Sequence, residues 1–132
     1  LTCCVDGVRV RVPSPVDEVI YLAVHAAGHS FIRLLWLYDL KALIARESVD
    51  WTAVRRRSDD LGVSNAVAYA LRLAEEWLGV EGIGHGAAAP RNAIRTPLAD
   101  RLLPMVAAPS TPSASDNLGG LLFTALLCDR AT

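Results

Sequence analysis

The chain lacks an excess of charge, a cysteine framework and a long apolar run, and each absence removes a class of function. Lys and Arg number 13 against 14 Asp and Glu, a formal charge of -1, so nothing draws the surface as a whole toward nucleic acid or an anionic membrane. No uninterrupted apolar stretch approaches the ~20 residues that span a bilayer. Leu1-Thr2-Cys3-Cys4 opens the chain without the charged and apolar regions of a secretory signal, and a cytoplasmic location is expected. Cys3, Cys4 and Cys128 make an odd count without a C-x-x-C pair. Adjacent Cys3 and Cys4 point to opposite faces of a strand, which is poor geometry for a shared metal, so reduced thiols are expected. An initiator Met is also missing, which suggests a trimmed chain, a processed chain or a piece of a longer protein. Gly-x-Ser-x-Gly nucleophile signatures are absent.

What the chain does have is apolar content. At 132 residues and 52% hydrophobic, it suits one core, is too short for two ordinary domains, and is not disordered in composition. Val8-Arg9-Val10-Arg11-Val12 alternates with strand period after Asp6-Gly7, a two-residue turn signal, so residues 1–12 read as a β-hairpin. A lone hairpin is marginal in water. Either the helices downstream cover it, or an upstream sheet does.

From residue 13 onward the periodicity is helical. Ser14-Pro15 starts a helix reaching about Ala27, and a break near Gly28 to Ser30, with Ser30 as N-cap, leads to a second from Phe31 to about Arg46. Asp50 caps a third that carries Trp51, Val54 and Leu61 inward and stops at Gly62; Ser64 caps a fourth that ends at Gly79. Loops are expected near 79–96 and 108–117, with a short helix over 97–106 and a last one over 118–128. The expected fold is mainly α, a small bundle of about five to six helices preceded by the hairpin.

Several constellations could carry chemistry. His25 and His29 stand four residues apart on one helix face, and Arg33 and Asp39 follow. Three readings stay open: a structural hydrogen-bonded network, a pocket for an anionic ligand with Arg33 as the phosphate partner, or a metal site on the two imidazoles. Ala26 follows the first His where a zincin needs Glu, so metalloprotease chemistry has no support. Arg55-Arg56-Arg57 fans around a helix beside Asp59 and Asp60, as a solvated face would. Gly82-Ile83-Gly84-His85-Gly86 lacks the Lys-Ser/Thr of a P-loop and follows a helix instead of a strand, so it reads as a connection. Trp36, Trp51, Trp77, Tyr21, Tyr38 and Tyr69 are expected mostly in packing.

One group of motifs resembles a known family. Ser14-Pro15-Val16-Asp17, then Leu22-x-x-His25-x-x-x-His29, Arg33-Leu34-Leu35-Trp36-Leu37-Tyr38-Asp39-Leu40, Val49-Asp50-Trp51 and Leu61-Gly62 resemble the C-terminal helical part of the uncharacterised nucleotidyltransferase family of the DNA-polymerase-beta-like superfamily, over about half the chain. The resemblance implies an upstream α/β domain in which a Gly-Ser motif and two carboxylates hold divalent metal. Two-metal phosphoryl transfer needs such a pair on a rigid strand. Here the adjacent acids Asp17-Glu18, Asp59-Asp60 and Glu75-Glu76 all fall in expected helices.

The expectation is therefore a nucleotide- or substrate-binding region, inactive as this isolated chain. His25, His29, Arg33 and Asp39 would face the nucleotide cleft or brace a domain interface, with no catalytic residue and no cofactor in the chain itself. Mg2+ and a nucleoside triphosphate are expected for a full-length parent. The expected partner is the upstream domain or another chain covering the hairpin; a homodimer is open, and nucleic acid and membranes are not expected. A non-enzymatic helical interaction or regulatory module is the alternative.

Overall fold

A computed structural model describes residues 1–84, 86–89, 95–107 and 114–129. The chain runs β1 (Thr2–Val5), β2 (Val8–Arg11), α1 (Pro15–Gly28), α2 (Leu34–Arg46), α3 (Trp51–Leu61), α4 (Ser64–Leu78), α5 (Arg95–Ala107) and α6 (Ala114–Leu127). This is the mainly helical bundle with an antiparallel hairpin at its front. Among the described residues no helix is long and apolar enough to cross a membrane.

Asp6 and Gly7 both take positive φ, 50° and 79°, as a two-residue turn of matching twist requires. Cys3 pairs with Val10 and Val5 with Val8, and Val12 N–H donates to the Leu1 carbonyl at 3.1 Å. Strand alternation thus puts Leu1, Cys3, Val5, Val8, Val10 and Val12 on one face and Thr2, Cys4, Arg9 and Arg11 on the other. Every residue of both strands is exposed. The helices therefore do not cover the hairpin.

Ser14 caps α1: its hydroxyl oxygen accepts from the Asp17 amide at 3.1 Å and its O–H donates to Asp17 at 2.7 Å, a reciprocal pairing close to the capping box. Val19, Ile20, Ala23, Ala26 and Ala27 form the buried stripe of α1. The helix then ends differently from expectation. Gly28 remains helical, and the left-handed positions fall on Ser30 (φ 53°) and Phe31 (φ 55°). Phe31 N–H donates to Ala26 O and Ser30 N–H to Ala27 O, both at 2.9 Å, which is a Schellman ending without glycine. The cause is tertiary, because Phe31 is 3% exposed and packs against Tyr69 and Phe123. Ser30 accordingly caps nothing, and α2 begins three residues late with Arg33 at its N-cap.

α3 starts as expected, with Asp50 accepting from the Ala53 amide at 3.0 Å, and stops at left-handed Gly62. Leu61, expected inward, is exposed. Ser64 does not cap α4. It is the first helical residue, and its hydroxyl donates to Asp59. The orphan amides of Ser64 and Asn65 instead donate to the two carboxylate oxygens of Asp129, at 2.6 and 2.8 Å. A side chain 65 residues away supplies the cap.

α4 is the central element, buried at every position from Ser64 to Leu71, and it packs on α1, α2, α3 and α6. Ala66, Ala70 and Ala74 keep it slim, so Val19, Leu37, Leu40 and Val54 close around it. Lys41 Nζ donates to the Leu78 carbonyl at 2.7 Å and caps its far end. α5 and α6 pair with each other, and Phe123 of α6 is wholly buried between Phe31 and Tyr69. α5 runs longer than the expected 97–106, and α6 begins four residues before the expected start, so 114–117 are helical instead of linker. Expected loop segments at 85, 90–94 and 108–113 lie outside the described residues.

Candidate functional site

Positions 21, 25 and 29 recur every four residues, so they lie along one side of α1 and its C-cap. The Schellman turn then folds the chain back and brings Trp36, in the first turn of α2, against them. Tyr21 stacks on His25 with ring centroids 5.7 Å apart and planes at 23°. His25 and His29 meet edge to face at 4.8 Å. Trp36 lies 5.0 Å from His25 and 4.7 Å from His29. His25 and Trp36 are half-buried, and His29 and Tyr21 are exposed. The two histidines are held by ring packing.

Beside the rings, Asp17, Ile20, Tyr21, Val24 and His25 line an open groove of about 330 Å³. Its Asp17 end is anionic. The Ser14 hydroxyl bond holds the Asp17 carboxyl below the usual carboxylate range; it outweighs the opposing effect of burial, and Arg57 Nε at 3.5 Å adds a lesser lowering.

Arg33 and Asp39 stand one turn before and one turn after Trp36, and both are exposed. Among the described residues no hydrogen bond or ion pair connects either of them to His25 or His29. The structure thus brings together two of the four expected site residues and adds Tyr21, Trp36 and Asp17, of which Tyr21 and Trp36 read from sequence as packing. The four-residue spacing of Tyr21, His25 and His29 was the available signal. Trp51 is half-buried, Trp77 and Tyr38 are exposed, and among these Trp and Tyr residues only Tyr69 is buried.

The arginine run splays as expected. Arg57 reaches Asp17, Arg55 donates to the Gly86 carbonyl, and Arg56 is exposed. The glycine-rich stretch packs on Trp51, since a Cβ on Gly84 would lie 2.6 Å from Trp51 Cβ and Cγ; His85 lies outside the described residues.

The family model of the uncharacterised nucleotidyltransferases matches residues 2–79, from the first strand to the glycine that ends α4. The chain belongs to this family. No curated protein and no solved structure matches it. The ring cluster, the groove, Arg33 and Asp39 all fall inside the family segment, whereas α5 and α6 fall outside it.

The resemblance to polymerase-beta-like nucleotidyltransferases would imply divalent metal held by paired carboxylates, so the donor set matters. Asp17-Glu18, Asp59-Asp60 and Glu75-Glu76 lie on α1, α3 and α4, where successive side chains diverge by about 100°. Among the described residues no group of three or more His, Cys, Asp or Glu is placed to hold a metal ion. These residues do not fit a two-metal centre, and no step of phosphoryl transfer is assigned to them.

Proposed function

We propose that this chain is the helical nucleotide- and substrate-binding region of a nucleotidyltransferase. The observation that carries the reading is the convergence of His25, His29 and Trp36 beside the open Tyr21 groove, inside the segment that defines the family. Exposed ring faces accept a nucleobase by stacking. Arg33 offers a forked guanidinium for a phosphate, one turn from Trp36. Asp39 and the imidazoles supply acceptors and donors for sugar hydroxyls or for a domain interface. The carboxylates that clamp Mg2+ and the triphosphate belong, in this reading, to an α/β domain supplied upstream in a longer parent or by another chain, whose sheet takes up the hairpin.

Titration with each of the four common nucleoside triphosphates, followed by tryptophan fluorescence, tests the proposal. Binding should quench Trp36, and Arg33→Ala should weaken it about tenfold, the usual loss for a charge-assisted bond. A longer gene product should transfer a nucleotide with magnesium. Failure of both the chain and the longer product to bind any nucleotide, with or without metal, overturns the proposal.

The wholly exposed hairpin, with its apolar face, favours a second reading: a non-enzymatic interaction module. A homodimer indifferent to nucleotide would support that reading.

A further inference from the structure

The last three turns of α6 carry a single polar side chain, Thr124. From Leu118 to Leu127 it reads Leu-Gly-Gly-Leu-Leu-Phe-Thr-Ala-Leu-Leu, and a helix apolar on all sides belongs inside something. Only one side is inside. Phe123 and Leu127 enter the core, while Leu121 is 69% exposed and Leu122 51%.

The outward side joins α5 in a groove of about 460 Å³ lined by Arg95, Leu98, Arg101, Leu102, Leu122, Ala125 and Leu126. Arg95, Leu98 and Leu102 follow i, i+3, i+7 spacing, and Leu122, Ala125 and Leu126 follow i, i+3, i+4. Each set forms a ridge on its own helix, and the groove between the ridges is the kind of surface into which a third helix packs. The α5 wall from Arg95 to Leu102 is about 10 Å long at 1.5 Å per residue, or two turns of a partner helix.

Charge selects the occupant. Among the described residues both charged side chains lining the groove are arginines, and no carboxylate lines it. Asp100, next to Arg101, is engaged elsewhere by Tyr69 and Arg72. A second copy seated symmetrically here would set arginines against arginines. An anionic bilayer would prefer a flat or convex apolar surface with a broad basic border, and this surface is concave with two cations on a chain of net charge -1. We propose that the α5–α6 groove docks an amphipathic helix of a partner protein, with apolar side chains at i, i+3 or i+4, and i+7, flanked by carboxylates that meet Arg101 and the part of the Arg95 guanidinium left over from its bond to the Cys128 carbonyl.

The probe is a fluorescently labelled 14-residue peptide carrying leucines at those positions and glutamates flanking them, with a lysine-for-glutamate version as control. Anisotropy with the intact chain should show binding of the glutamate peptide, at least tenfold tighter than the lysine peptide. Binding should weaken as salt rises to 0.5 M, through screening of the arginine–carboxylate pairs. Arg101→Glu should reverse the preference between the two peptides, and Leu122→Asp should abolish binding of both. Circular dichroism should show both variants folded, because both side chains are exposed. Equal affinity for the two peptides, or binding untouched by Leu122→Asp, overturns the proposal. So does a Leu122-dependent dimer in sedimentation, which assigns the groove to a second copy. Leu122-dependent pelleting with anionic phospholipid vesicles would assign it to a membrane and equally overturn the proposal.

Discussion

Phe123→Ala tests the architecture at the point where the family segment meets the last two helices. The ring is completely buried, edge to face with Phe31 (centroids 6.1 Å, planes at 88°) and with Tyr69 (5.8 Å, 80°). Truncating a fully buried Phe costs about 3–5 kcal/mol in lost transfer energy and residual cavity. The two aromatic pairings, at about 0.5–1.5 kcal/mol each, together contribute about 1–3 kcal/mol. For 132 residues the unfolding entropy near the midpoint is roughly 0.28 kcal/mol/K, so a loss of ~4 kcal/mol lowers Tm by about 14 °C. Phe123→Leu keeps most of the volume and should cost less than about 1.5 kcal/mol. Urea and thermal unfolding followed by circular dichroism measure both variants. The Ser30 and Phe31 amides should also lose hydrogen-exchange protection in the alanine variant, because the buried Phe31 ring is what holds that turn left-handed. A loss below about 1 kcal/mol, or equal losses for Ala and Leu, would refute the reasoning.

Other substitutions separate exposed from anchoring residues. Asp39→Asn should leave stability within about 0.5 kcal/mol, since Asp39 is exposed; a large drop in Tm would place it in a buried network after all. Gly84→Ala should push the 82–87 segment off Trp51, a contact now too close for a Cβ, and shift that residue's fluorescence; an unchanged spectrum contradicts the packing. Asp17 titrates below the ordinary carboxylate range. Its stabilising contribution is therefore full above the unfolded value and is lost as pH falls through the lowered folded one; in Ser14→Ala an NMR titration should find the Asp17 pKa moved back up. Burial and the hydrogen bond to Asp100 raise the Tyr69 phenol above the ordinary tyrosine value. Its contribution is thus present at neutral pH and lost in alkali, and Tyr69→Phe should remove the most alkaline phenolate step from an ultraviolet titration.

Local chemistry explains which parts of the fold were readable in advance. Asp6-Gly7, Ser14-Pro15, Asp50, Gly62 and Gly79 each solve a turn or end problem within a few residues of themselves, and each was legible as such. Ser30 and Phe31 were not, because a non-glycine residue turns left-handed there to bury a ring against Tyr69 and Phe123. The start of α4 is hidden from the sequence for the same kind of reason: Ser64 is a good cap by composition, but Asp129 takes the Ser64 and Asn65 amides. At the candidate site the histidine pair was visible in its spacing. Trp36 joins it only because the chain doubles back at Ser30, which no periodicity encodes.

The Asp129 cap carries a consequence for synthesis. α4 is the helix around which the core assembles, yet the carboxylate that completes its first turn lies 65 residues further along. At 5–20 residues per second, translation makes that residue about 3–13 s after the turn it serves. During that interval the Ser64 amide lacks the Asp129 carboxylate, and Phe31 and Tyr69 lack the Phe123 ring. The first turn of α4 and the Phe31–Tyr69 pair therefore reach their final packing only once α6 and Asp129 have been made.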